Sequence, residues 1–459
     1  MDYTRGNRIL CTWRESSRLL SGNKDREEIL APSGNRHDSG GKKPLKILIV
    51  NTYEKEGGAA RSAYRLHKGL LSIGAESKML VQCKKSDDPT IIGPKTKIGK
   101  GLALLRPELD SLPLIVYRNR TSPIFSPQWV PESHRSSIDH LNPEIINLHW
   151  VCEGFLKIET IAKLKRPVVW TLHDLWAFTG GCHYPSECNR YIETCGCCPH
   201  LQSRKERDLS HRVWKRKGKT YRGIDLTVVT PSRWLAGCAK SSSLFGEFRT
   251  EVIPNGLDIN RFSPVDKLQA RDLLNLPPDK HLILFGAIHA TGDTRKGFQY
   301  LAPALQKLKE SGWQDKMEIV IFGSSSHETK DHPAFKTHFL GTLHDDISLS
   351  LAYAAADAFI APSIQENLSN TVMESIACGT PCIAFNIGGM PDMIENRKNG
   401  YLAIPFDVED LARGISWVIE DPERTFALGH RAREKAEQEF NLTLHAHRYI
   451  TLFEDLLSR

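Results

Sequence analysis

No run of eighteen or more apolar residues occurs in the 459-residue chain, so no segment reads as a membrane-spanning helix. The stretch before Pro44 has no continuous apolar core of the kind a secretory leader needs. Residues 1–43 are therefore expected to be a mobile tail, and the chain is expected to be cytoplasmic. Short-period repeats and low-complexity tracts are absent, and with 40% apolar and 25% charged residues the chain is neither disordered nor fibrous. Strong charge of one sign is lacking too: 61 basic residues against 54 acidic ones leave +7, too little to imply nucleic acid as a partner. There is also no Asp-x-Asp pair to hold a divalent ion.

What is present is a repeated order of strands and helices. PLKILIVNT (44–52) is a β-branched apolar run, EKEGGAAR follows it, and SAYRLHKGLLSIG then shows helical spacing that stops at Gly74. SKMLVQ (77–82), EIINLHW (144–150), PVVWTLH (167–173), DLTVVT (225–230) and TEVIPNG (250–256) supply further buried strands. A second series opens with HLILFGAI (281–288) and the amphipathic FQYLAPALQKLKES (298–311). It continues through EIVIFGS (318–324), HFLGTL (338–343), the helical ISLSLAYAAA (347–356), AFIAPS (358–363) and PCIAFN (381–386) to a final set of helices. The economical architecture is α/β: two Rossmann-like domains facing a central cleft, 44–258 and 259–440, with a join near 254–264. Residues 441–459 form a terminal helix expected to pack back on the first domain.

Ligands of such folds sit at the carboxyl ends of the strands, so loops that follow strands hold the candidates. Gly57 and Gly58 let backbone amides approach an anion at a helix start, or merely form a tight turn. Arg295 and Lys296, before Gly297, offer a fork and a point charge to a diphosphate, or are two solvated bases. Glu366 leaves AFIAPS on a loop where no helical role claims it, and can accept hydrogen bonds from sugar hydroxyls. Glu374 lies eight positions on: it can take a ribose diol, although Thr371-Val-Met-Glu374 also matches a capping box. The helix start between them offers free amides to phosphate.

These residues resemble the retaining, nucleotide-sugar-dependent glycosyltransferases of the GT-B fold, family 4, through the spacing Glu366-x7-Glu374. The resemblance runs over residues 45–455 and includes GGAA (57–60), TLHDLWAFTGGCHY (171–184), TPSRWL (230–235), VIPNGLD (252–258), RKG (295–297) and the Gly388-Gly389 pair. It points to the colanic-acid-type branch that builds bacterial surface polysaccharide. It implies a UDP- or GDP-linked sugar donor and a saccharide or lipid-linked acceptor. Arg295 and Lys296 would bind the leaving diphosphate, Glu366 the sugar and Glu374 the ribose. His173 would touch the sugar near the reacting centre, although a histidine beside Asp174 is also a common structural pair. Gly57, Gly58, Asn367, Leu368 and Ser369 would line the donor, and Asn255 would shape the cleft-facing hinge loop. His149-Trp150 is a weaker candidate for acceptor contact. Two departures leave the donor open: Gly286 is followed by Ala287 where many members have Arg, and the loop after Glu366 reads Asn-Leu-Ser where a glycine-rich form is commoner. With bases at the diphosphate and no Asp-x-Asp, no catalytic metal is expected.

Two features stand outside that pattern. Within a cysteine-rich insert (182–198), Cys195 and Cys198 form a C-x2-C pair that Cys182 and Cys188 could complete as a structural zinc site, with Cys197 or His183 as substitutes. Unligated thiols in a compact loop are the alternative. Residues 204–222 hold nine Lys/Arg against two acids, a solvated helix face or a face for peripheral membrane contact. Rival readings are a GT-B-type nucleotide-sugar epimerase or phosphorylase and, more distantly, a nucleic-acid-binding protein, which gives Glu366 and Glu374 no role.

Overall fold

The structure is a computed structural model that describes residues 43–121, 124–132, 134–286, 293–323, 334–343 and 345–459. Residues 44–459 form one compact unit of two lobes. The first lobe holds a parallel sheet of β1 (Lys46–Tyr53), β2 (Glu76–Cys83), β3 (Ile91–Ile92), β4 (Ile145–Leu148), β5 (Val168–Thr171), β6 (Leu226–Thr230) and β7 (Arg249–Val252) in the order β3-β2-β1-β4-β5-β6-β7. The second holds β8 (His281–Gly286), β9 (Met317–Phe322), β10 (Thr337–Phe339), β11 (Ala358–Ala361), β12 (Cys382–Phe385) and β13 (Gly400–Ala403) in the order β10-β9-β8-β11-β12-β13. Strand order reverses between β1 and β4 in one sheet and between β8 and β11 in the other. Those are the points at which loops diverge and leave a crevice.

Helical crossovers join most of the parallel strands, and helices on both faces demand strands that are apolar throughout. The central residues of β1 are all buried, as are all of β4, β5, β9, β11 and β12. In the first lobe the crossovers include α1 (Gly58–Ser72), α2 (Lys97–Ser111), α3 (His134–Leu141), α4 (Ile158–Ile161), α5 (Leu209–Tyr221) and α6 (Arg233–Ser241). The second adds α7 (Lys267–Leu273), α8 (Phe298–Leu308), α9 (Asp346–Ala355), α10 (Asn370–Ala377), α11 (Met390–Met393), α12 (Val408–Ile419) and α13 (Pro422–Glu439). α14 (Leu442–Leu457) ends the chain.

α14 returns to the first lobe. Ala446, Tyr449, Leu452 and Phe453 join Ile47, Leu66 and Leu70 in one apolar cluster, and Tyr449 Oη shares a hydrogen bond of 2.8 Å with Thr171 Oγ1. The strand of HLILFGAI ends at Gly286; Ala287 and the rest of that run lie outside the described residues.

The basic run 204–222 is not one solvated face. Lys217 of α5 is fully buried, donates to the carbonyls of Trp176 and Thr179, and lies 3.6 Å from the centroid of the Trp176 ring. Arg216 donates to Glu159 and to the carbonyls of Pro127 and Gln128. Helical period thus points two of the nine cations inward, where carbonyl oxygens replace water.

Tyr449→Ala is expected to destabilise the protein by about 3 kcal/mol, the range for removing a large buried aromatic. A urea titration would show it; an unchanged midpoint would mean that α14 does not hold the first lobe together.

Candidate functional site

The second lobe presents its polar residues at its switch point. Asp293 caps a single turn, Thr294–Lys296, after β8, accepting from the Arg295 backbone N–H at 3.0 Å. Its carboxylate also takes Arg295 Nε at 3.1 Å and Nη2 at 2.7 Å. The Arg295 guanidinium lies 4.3 Å from the ring centroid of Tyr184, a residue of the other lobe. Burial works against that charge, and Asp293 and Tyr184 more than offset it, so Arg295 stays protonated. Lys296 Nζ meets Glu366 Oε2 at 2.9 Å. Gly297 ends the turn at φ +78°, and a Cβ there would lie 1.8 Å from the Pro362 carbonyl oxygen. Only glycine lets the two loops touch.

The β11 loop carries the rest. Gly389 allows equally close packing, since a Cβ on it would lie 1.6 Å from the Asn367 oxygen. Asn367 donates from Nδ2 to the His173 carbonyl at 3.2 Å, and its Oδ1 accepts from Ser232 Oγ, so this side chain spans the lobes. Leu368 points into the apolar core of the second lobe. Ser369 caps α10, with Oγ accepting from Val372 N at 3.5 Å. The capping box around Thr371 does not form, because Thr371 already lies within the helix.

Glu374 is thereby free to reach elsewhere. It is fully buried, with Oε1 taking Arg65 Nη2 at 2.7 Å and Arg61 Nη1 at 3.2 Å, and Oε2 accepting from Tyr353 Oη at 3.1 Å. Both arginines lie on α1, which Gly57 precedes as the cap residue at φ +86°. Asn370 donates to the Gly58 carbonyl at 3.1 Å, so the glycine loop touches the start of α10. Arg61, Arg65 and Tyr353 were not legible as site residues, because nothing in the local sequence marks a cation some 310 positions from its acid.

His173 faces this loop from the first lobe. Asp174 does not pair with it: its carboxylate takes His183 Nδ1 at 2.7 Å, Trp150 Nε1 at 2.9 Å and Trp176 N at 2.8 Å. His173 Nε2 instead lies 2.9 Å from His149 Nδ1, and His149 Nε2 lies 2.9 Å from Asn147 Oδ1. Asn147 Nδ2 donates to Val169 O and Thr171 Oγ1, which leaves Oδ1 as acceptor. The network therefore assigns a proton to Nε2 of both imidazoles and leaves Nδ1 of His173 as an acceptor. Burial lowers His173 to about 4 and His149 well below its ordinary value. Asn255 is buried in the connection between lobes, where Leu257 N donates to Phe440 O at 2.7 Å.

Cys182, Cys195 and Cys198 are buried and Cys188 is half-buried, all as free thiols. Gly180 N donates to Cys195 Sγ at 3.1 Å, and burial pushes that thiol up to about 12. Among the described residues no three His, Cys, Asp or Glu side chains are grouped to hold a metal ion.

Family models described as "Glycosyltransferase Family 4" and "Glycosyl transferases group 1" match residues 56–261 and 279–421. A D-inositol 3-phosphate glycosyltransferase of Catenulispora acidiphila is 28% identical over 234 residues, 47% of this chain and 54% of that protein. A sulfoquinovosyl transferase of Arabidopsis thaliana is 30% identical over 227 residues, 48% of this chain and 42% of that protein. The chain thus spans about half the length of these curated relatives. Among solved structures, sucrose-phosphate synthase from Thermosynechococcus elongatus aligns with TM-score 0.65 at 18% identity, covering 90% of this chain and 99% of its own. The Anabaena protein HepE in complex with UDP-glucose gives 0.58 at 17%, with 90% and 99% covered. Both share the two-lobed fold.

Two outcomes follow from this geometry. Arg65→Met should destabilise the protein by about 3 kcal/mol by leaving a buried carboxylate short of charge, and adding Glu374→Gln should restore part of the loss in urea titrations. An unchanged midpoint for Arg65→Met would contradict the contact. Burial also keeps His67, His173 and His445 neutral, at about 4, 4 and 3 against an ordinary 6.5. The unfolded chain then binds more protons than the folded one as pH falls from about 6.5 to 4, so stability drops across that window. Melting temperatures that stay flat there would exclude it.

Proposed function

Because the chain belongs to the group 1, family 4 glycosyltransferases of the GT-B fold, we propose that it moves a hexose from a nucleoside diphosphate sugar to a saccharide or lipid-linked acceptor, with retention at the anomeric carbon. The observation that supports this reading is the ion pair of Lys296 with Glu366 at 2.9 Å beside the Asp293-held Arg295, on loops at the second lobe's switch point, with Asn367 of the same β11 loop donating to the His173 carbonyl. Arg295, fixed by Asp293 and Tyr184, and Lys296, fixed by Glu366, are cations placed before the ligand arrives. Such charge stabilises a leaving diphosphate without reorganisation at the moment of reaction.

In this reading the diphosphate takes over Lys296, which leaves Glu366 oxygens to accept from sugar hydroxyls. The ribose diol displaces Arg61, the longer of the two contacts on Glu374. The acceptor hydroxyl attacks on the face from which the diphosphate departs. A carbon–oxygen bond forms as the carbon–oxygen bond to phosphate breaks, and the proton passes to the departing phosphate oxygen. His173, neutral and with Nδ1 as acceptor, orients a hydroxyl of the sugar. Its role is positioning. The donor would be UDP- or GDP-linked, and surface polysaccharide is the class of product.

Nucleotide sugars should be screened for a rise in melting temperature, since a donor that binds only the native state stabilises it. The one that raises it should give a glycosylated acceptor by product analysis, and Lys296→Ala should lower turnover by about 10²-fold. Release of free sugar without any acceptor product would favour an epimerase, and an unchanged rate would remove Lys296 from the reaction.

A further inference from the structure

A surface helix ordinarily turns its apolar stripe to the core and its polar side to water. α2 does the reverse. The only residues it buries are Ala103 and Asp110. Asp110 accepts from Gln128 N at 3.2 Å and Trp129 N at 3.1 Å. Arg106, on the same stripe, donates from Nε to Gly154 O and from Nη2 to Pro131 O, both at 2.7 Å. The helix is therefore fastened by polar bonds from Arg106 and Asp110, with Ala103 buried on the same stripe. Its other face carries Ile98, Leu102, Leu105 and Leu109, and the turn that follows the helix continues the row with Leu112 and Val116, all 40–78% exposed. Leu104 and Ile115 widen the stripe, and Trp129 lies beside it with Nε1 donating to Asp110 O at 3.2 Å. Patches of this kind on a folded surface mark a site of interaction.

The surrounding charge identifies the partner. Between residues 95 and 120, Lys95, Lys97, Lys100, Arg118 and Arg120 are exposed, against Glu108 as the single exposed acid. The loop bearing Arg204, Lys205 and Arg207 adjoins, since Thr121 N donates to His200 O at 3.0 Å and Leu209 N to Tyr117 Oη at 2.9 Å. A second copy of the chain would bring two such basic sets together and be repelled. An anionic bilayer takes both features at once: acyl chains accept the leucines and headgroups the lysines and arginines.

We propose that α2 and the turn after it lie in the plane of an anionic phospholipid surface, their apolar residues from Ile98 to Val116 sunk below the headgroups. Tryptophan at position 129, with one face exposed and its N–H bonded, suits the same boundary. This inference stands apart from the proposed transfer reaction. Where that reading also holds, the bond from Arg106 to Gly154 places the loop after β4, on the cleft side, next to the membrane.

The test is flotation of the full chain with vesicles of equimolar phosphatidylglycerol and phosphatidylcholine, and with phosphatidylcholine alone. The protein should bind the anionic vesicles, less at high salt, and leave the neutral ones. Leu105→Glu with Leu109→Glu, both exposed, should keep the native melting temperature and weaken binding by on the order of tenfold or more. Lys97→Glu with Lys100→Glu should weaken it while sparing the apolar stripe, which keeps the test decisive if the first variant melts early. Failure of the native chain to float with anionic vesicles would overturn the proposal. So would equal binding by the leucine variant, or a dimer in light scattering that this variant converts to monomer without any vesicle binding.

Discussion

A carboxylate shut away from water must be matched by positive charge or protonated, and Glu374 is matched from the other lobe. Arg65 and Arg61 come from the helix that follows the first strand, while Glu374 sits inside a helix near the end of the second sheet. Satisfying that one buried group fixes the distance between the lobes. Once it is fixed, Asn370 reaches the glycine loop and Asn367 reaches the carbonyl of His173. Tyr184 covers Arg295 as part of the same seam.

Close backbone approach within the second lobe is the second constraint. Gly297 against Pro362, and Gly389 against Asn367, leave no room for a side chain, so the loops after β8 and β12 both lie on the β11 loop. Lys296 and Glu366 meet because of that contact. The charged groups of the proposed donor site are then held by backbone geometry rather than by long side chains searching for partners, which is what preorganisation requires. The surface of α2 obeys a different rule: its polar bonds to the lobe release an apolar face outward.

Much of the fold was legible in local pattern. Apolar β-branched runs followed by glycine or cation-bearing loops located most of the strands, and loop-after-strand logic led to Arg295, Lys296, Glu366 and Glu374. β3 and β13 escaped because two residues, or a strand as mixed as Gly-Tyr-Leu-Ala, carry no period. α2 escaped because a leucine stripe alone does not tell which way it packs, and here it faces outward. The partners of named residues were the least visible. Asp174 stands next to His173 in the chain and bonds His183 instead, since the backbone turns the two neighbours apart. Glu374 looked like a helix cap until Ser369 proved to fill that position.

The account turns on two acids and two bases from separate loops holding a single nucleoside diphosphate sugar. Calorimetric titration of nucleoside diphosphates into the native protein, Lys296→Met and Glu374→Gln tests this most directly. Binding by the native chain that weakens tenfold or more in each variant is the predicted result, the size expected for losing one charge-assisted contact. Equal affinity in all three proteins, or no binding by the native chain, would contradict it.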